Sequence, residues 1–184
     1  MISGRGARMR DAVKRSHGSV VLGLIVLGVL SRLIPHPWNV TPVMAIALFG
    51  GAALPRGWAL VLPLAIVALS DLLIGWHNTV PFTWAGFLFA GMIGWWIRRK
   101  PSGGRIFAAT LTGSVTFFVI SNFGVWLIGD LYPRSLAGLW ACAVAAIPFF
   151  RTALAGDLVY TGALFGLHYL VTVALPSRVP VQSQ

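Results

Sequence analysis

The stretch IFAATLTGSVTFFVISNFGVWLI, residues 106–128, runs for 23 residues without a charged side chain. A bilayer hydrocarbon core of about 30 Å takes about 20 residues of helix, so this segment is long enough and apolar enough to cross one. The rest of the chain has the same character. Among 184 residues there are 14 Lys and Arg against 4 acidic residues, 57% are hydrophobic, and the mean hydropathy is +0.82. Charged residues make up 10% of the chain, where a soluble domain carries roughly 25%. That is too little polar surface to face water on all sides. Soluble globular, disordered and coiled-coil classes are excluded, and an all-α polytopic membrane helix bundle is left.

Outward from 106–128, five more apolar runs read as spans: 19–34, 41–54, 58–74, 82–97 and 155–175. The run 41–54 is short for a crossing and ends at Pro55-Arg56-Gly57. Residues 135–150 are apolar but bounded by Pro133-Arg134 and by Pro148 and Arg151. They are expected to form an interfacial or re-entrant helix between the fifth and sixth spans, the alternative being a seventh crossing. The organisation is then a basic leader at 1–18, a membrane domain at 19–176 and a tail at 177–184.

The cations set the orientation. With six crossings and a cytoplasmic N-terminus, eleven of the 14 Lys and Arg fall on the cytoplasmic side, among them Arg5, Arg56, Arg98, Arg99, Lys100, Arg105 and Arg178. The positive-inside rule favours this arrangement, with both termini cytoplasmic in an inner membrane. Trp58, Trp76, Trp95, Trp96 and Trp126 lie near span ends, where amphipathic rings settle at the interface.

On the opposite face three non-adjacent loops pool polar groups. The first contains His36, Asn39 and Thr41; the second contains His77 and Asn78, with Asp71 one helical turn deeper; the third leads through Arg151 to Asp157, with Asn122 nearby in span five. Charge inside a membrane helix costs at least ~2.5–3.5 kcal/mol, so an intramembrane aspartate marks either a site or a structural ion pair. Arg32 with Asp71 and Arg151 with Asp157 are the structural alternatives. Expected substrate-binding residues are Asp71, His77, Asn78, Asn122, Arg151 and Asp157, with His36 and Asn39 as a lid. Asp71 is expected beneath His77 across Gly75, and Arg151 is expected to reach towards Asp71 or a ligand.

Several chemistries find no foothold. One cysteine, Cys142, forms no intramolecular disulfide or CxxC metal site, and there is no GxxxxGK[ST] loop or HExxH motif. No cofactor, catalytic residue or resident metal is expected. The cations lie between apolar runs rather than in one stripe, so nucleic acid is not an expected partner.

At the polar loops the chain resembles a known group. RLIPHPWNVTPV at 32–43, AIALFGG at 45–51, SDLLIGWHNT at 70–79 and AIPFFRTALAGDLVY at 146–160 look like blocks of an uncharacterised family of small bacterial membrane proteins. The architecture is similar to the substrate-binding S components of energy-coupling-factor vitamin transporters. That resemblance implies six helices, a vitamin held by the loops after helices one, three and five, and a transporter energising module as partner. In the solitary S components that take up cobalamin a cysteine occupies the loop after helix three; here that loop holds His77-Asn78. The run 20–30 lacks the Ala-xxx-Ala pattern used to dock on a shared subunit.

Three functions are therefore in view. A protein for uptake of a vitamin-like molecule needs an enclosed outer cavity with polar and aromatic walls. An accessory subunit of a membrane complex needs its buried polar groups satisfied by neighbours. A membrane-embedded enzyme needs Asp71 and His77 within hydrogen-bond reach.

Overall fold

The computed structural model describes the backbone of residues 3–35 and 39–174, and the side chains of 18–35 and 39–172. The tail at 177–184 and His36 lie outside the described residues. Six α-helices follow one another: α1 (Ser3–Leu33), α2 (Val43–Ala53), α3 (Trp58–Ile74), α4 (Val80–Arg98), α5 (Gly103–Ile128) and α6 (Leu136–Tyr169). A π-helical turn, Leu170–Ala174, continues α6. No strand occurs among the described residues.

Local chemistry sets several ends. Ser102 Oγ accepts from Arg105 N at 3.3 Å to start α5, and Ser135 Oγ accepts from Gly138 N at 3.2 Å to start α6. Gly75 stops α3 at φ 114°, a conformation that side chains disfavour. The short connections make neighbouring helices run antiparallel. One end of the bundle carries residues 34–35 and 39–42 and the 75–79 and 129–135 connections. The other carries the basic 54–57 and 99–102 connections.

One expectation is corrected. Residues 135–150 are not a separate interfacial or re-entrant helix; they are the first half of the 34-residue α6. At 1.5 Å per residue that helix is about 51 Å long. Pro148 and Arg151, which suggest boundaries in the sequence, lie inside it. Membrane helices tolerate internal proline where other groups satisfy the backbone it frees.

Val80–Arg98, Gly103–Ile128 and Leu136–Thr172 are long and apolar enough to cross a membrane. Gly18–Leu33, Val43–Ala53 and Trp58–Ile74 are shorter apolar helices. Large apolar side chains on the periphery, such as Leu22, Val119, Trp140 and Val159, are exposed. This pattern of buried small residues and apolar periphery fits a membrane protein.

The short α2 occupies the centre. Every residue from Val43 to Gly51 is buried, against α3, α4, α5 and α6. Its C-terminal half meets α4 backbone to backbone. A Cβ on Gly94 would collide with the Leu48 carbonyl oxygen, and one on Gly51 would lie 2.8 Å from Gly94 Cα. Small residues give such close approach in membrane bundles. The last carbonyls of α2, which have no partner within the helix, are met by Arg98. Its Nε and Nη2 donate to Gly51 O at 2.9 and 2.8 Å, and Nη2 also donates to Leu54 O.

Candidate ligand-binding cavity

At 11 residues, α2 is about 16 Å long, whereas α5, with 26 residues, is about 39 Å. The N-terminus of α2 stops beside the middle of its neighbours: Met44 Sδ lies 3.0 Å from where a Cβ on Gly113 would stand, and Val40 Cγ1 lies 2.9 Å from one on Gly156. Beyond that level no helix fills the centre.

The outer helices widen the space. α5 and α6 touch at Ser114–Asp157 and again at Asn122–Cys142. Between those contacts α5 advances 8 residues and α6 advances 15, or about 12 and 22 Å along their axes. Helix α6 must therefore run obliquely to α5 there. A cavity of about 490 Å³ opens, within the usual range for small-molecule sites.

Its wall mixes phenylalanine rings with polar side chains. Phe87 and Phe117 pair with ring centroids 4.5 Å apart, and Phe118 and Phe150 with centroids 4.8 Å apart. At the level where α2 begins lies Asp157, 7% exposed, whose Oδ2 is 2.7 Å from the Ser114 hydroxyl. Oδ1 has no hydrogen-bond partner among the described residues. Nearer residues 34–35 and 39–42, Asn122, Ser121, Thr83 and Asn39 line the wall, with Arg32 above them. Asn39 holds φ 61°, a left-handed conformation that asparagine adopts more readily than most residues.

Asp71 behaves differently. It is fully buried, Arg32 Nη2 donates to its Oδ1 at 2.5 Å, and the Trp84 indole donates to its Oδ2 at 2.9 Å. Both oxygens are thus engaged away from the cavity wall. Their role is to anchor Arg32, whose Nε is buried and lacks a hydrogen-bond partner.

Among the expected site residues, Asp157, Asn122 and Asn39 come together on the wall. Asp71 sits behind it, as the partner of Arg32. His77 and Asn78 are exposed and off the wall, and His77 makes no hydrogen bond to Asp71. Arg151 is exposed on α6 and does not reach Asp71. It lies on the helix rather than in a loop, and six residues turn it about 120° from Asp157. His36 lies outside the described residues. Arg32, Ser114, Ser121, Thr83 and the phenylalanines were missing from the expected set. A signal for part of it exists: Thr110, Ser114, Ser121 and Asn122 recur at helical spacing within an apolar span. No group of three or more metal-ligating side chains occurs among the described residues.

No curated protein and no solved structure matches the chain. The match that exists covers residues 14–178, nearly the whole helical bundle and all of the cavity wall. On that match the chain belongs to the family of unknown function DUF6580.

Proposed function

We propose that this protein is a substrate-binding membrane protein for uptake of a small, vitamin-like molecule, working in the manner of an S component. The observation that carries the reading is the cavity of about 490 Å³, with phenylalanine rings and polar side chains on its wall and the buried Asp157 at its inner end. An enclosed space with a few converging polar groups is what a small-molecule site requires. The orientation follows from charge: Arg56, Arg98, Arg99, Lys100 and Arg105 all belong to the end remote from the cavity. The positive-inside rule then assigns that end to the cytoplasm and the cavity to the outer face of the inner membrane. A transporter energising module would complete the uptake system.

The accessory-subunit reading has one observation in its favour, the complete satisfaction of Asp71 by Arg32 and Trp84. It does not account for a cavity lined by Asp157. An acid–base pair of Asp71 and His77 is not formed, because the Asp71 oxygens face Arg32 and Trp84.

Native mass spectrometry of protein extracted in mild detergent tests the proposal. A retained small molecule, lost in the cavity-filling variant Ala153→Trp, is the expected result. An empty protein that also binds nothing from a metabolite extract would sink it.

A further inference from the structure

We infer that the cavity selects a ligand bearing a protonated nitrogen on an apolar or aromatic body. The inference rests on the binding reading above and names its ligand class. It comes from the buried carboxylate on the wall and the balance of charges around it.

Part of the hydrogen-bonding capacity on the middle of the wall is already committed. Thr83 Oγ1 donates to Thr79 O at 3.4 Å, Ser121 Oγ to Phe118 O at 3.3 Å, and Asn122 Nδ2 to Phe118 O at 2.8 Å. The single hydroxyl hydrogen of Ser114 is shared between Thr110 O at 2.9 Å and Asp157 Oδ2 at 2.7 Å. A hydroxyl that has given its hydrogen only accepts, while Asn122 keeps a second amide hydrogen. At the inner end Asp157 Oδ1 is an acceptor without a partner among the described residues, and it is complementary to a donor on the ligand.

The charges agree. The one cation among the described wall residues, Arg32, is neutralised by Asp71 at 2.5 Å. Asp157 has no cationic partner among the described residues. A carboxylate more than nine-tenths buried is costly without a counter-charge, and a ligand ammonium would supply it. Phenylalanine faces add attraction for a cation while accommodating an apolar body.

The test uses three probes with one ring system: tryptamine, indole-3-ethanol and indole-3-acetate. Each is titrated calorimetrically into the purified full-length protein and into the isosteric variant Asp157→Asn. Tryptamine should bind at least tenfold more tightly than the other two, and Asp157→Asn should abolish that preference. Equal or tighter binding of the alcohol or the acid to the unaltered protein overturns the inference, as does a preference that survives in Asp157→Asn. If the acid binds best and Ala153→Trp prevents it, the cavity reading stands and the ammonium assignment alone falls. If none of the probes binds, the ammonium assignment falls too, and native mass spectrometry decides the cavity reading separately.

Discussion

At its C-terminal end α2 meets α4 through Gly51, Gly91 and Gly94, with Arg98 closing its last carbonyls, whereas its N-terminal end stops at half-depth beside about 490 Å³ of open space. One helix thus belongs to two kinds of structure. Where backbones touch, every added atom must displace something. Where the helix is missing, side chains have room and unused polar atoms. The contrast teaches that the cavity is not carved by bulky residues but left by the shortness of a central element, while the opposite end supplies the rigidity that keeps the space open.

The boldest way to break this contrast is at Arg32, which belongs to the open end yet holds a buried charge. Arg32→Met should cost about 3–5 kcal/mol, because it strands Asp71 without a counter-charge. Arg32→Met combined with Asp71→Leu should recover most of that loss. Denaturant unfolding in mixed micelles measures both, and a double variant no better than the single would refute the pairing. At the tight end Gly91→Val should cost about 3 kcal/mol, since its Cβ meets the Ala59 backbone rather than a movable side chain. A stability within 0.5 kcal/mol of the parent, roughly the range of neutral surface changes, would mean the contact of α4 with the start of α3 is looser than described. Arg98→Ala should cost about 2 kcal/mol by leaving carbonyls of α2 without a charged donor. Partial recovery in Arg98→Lys would sharpen the point. On the open side Ala153→Trp should alter stability by less than about 1 kcal/mol while blocking ligand entry, the reverse of the Gly91 result. His77→Ala should change neither property measurably, since that side chain is exposed and off the wall. A tenfold loss of binding there would restore the second loop to the site.

Much of the helical plan was legible because uncharged runs of membrane length leave few alternatives. The short α2 was visible as a run too brief to cross, although its central burial was not. Pro148 and Arg151 misled because punctuation that ends helices in water need not end them in an apolar bundle, and α6 continues through both. The site was half readable. Asp157 and Asn122 stood out as polar residues in apolar surroundings. Asp71 stood out equally, yet it turns to Arg32, 39 positions earlier. The Arg32–Asp71 pair stood among the structural alternatives, but spacing could not choose between it and a ligand site, because that depends on which helices become neighbours. His77 and Arg151 were credited for their chemistry alone, when direction decides whether a side chain reaches the cavity.

The placement of α2 also bears on how the chain is assembled. A segment of 11 residues is about half of what stable insertion into a bilayer core demands, so α2 has no independent hold on the membrane. Apart from α1 and α3, the surfaces that bury it belong to α4, α5 and α6, all synthesised later. During translation the heart of the bundle is therefore an unfinished intermediate, sheltered first as half of a hairpin with α3. Its final environment exists only once α6 has docked on Phe49 through Phe165 and His168. The sixth helix to emerge from the ribosome is thus the one that locks the second into place.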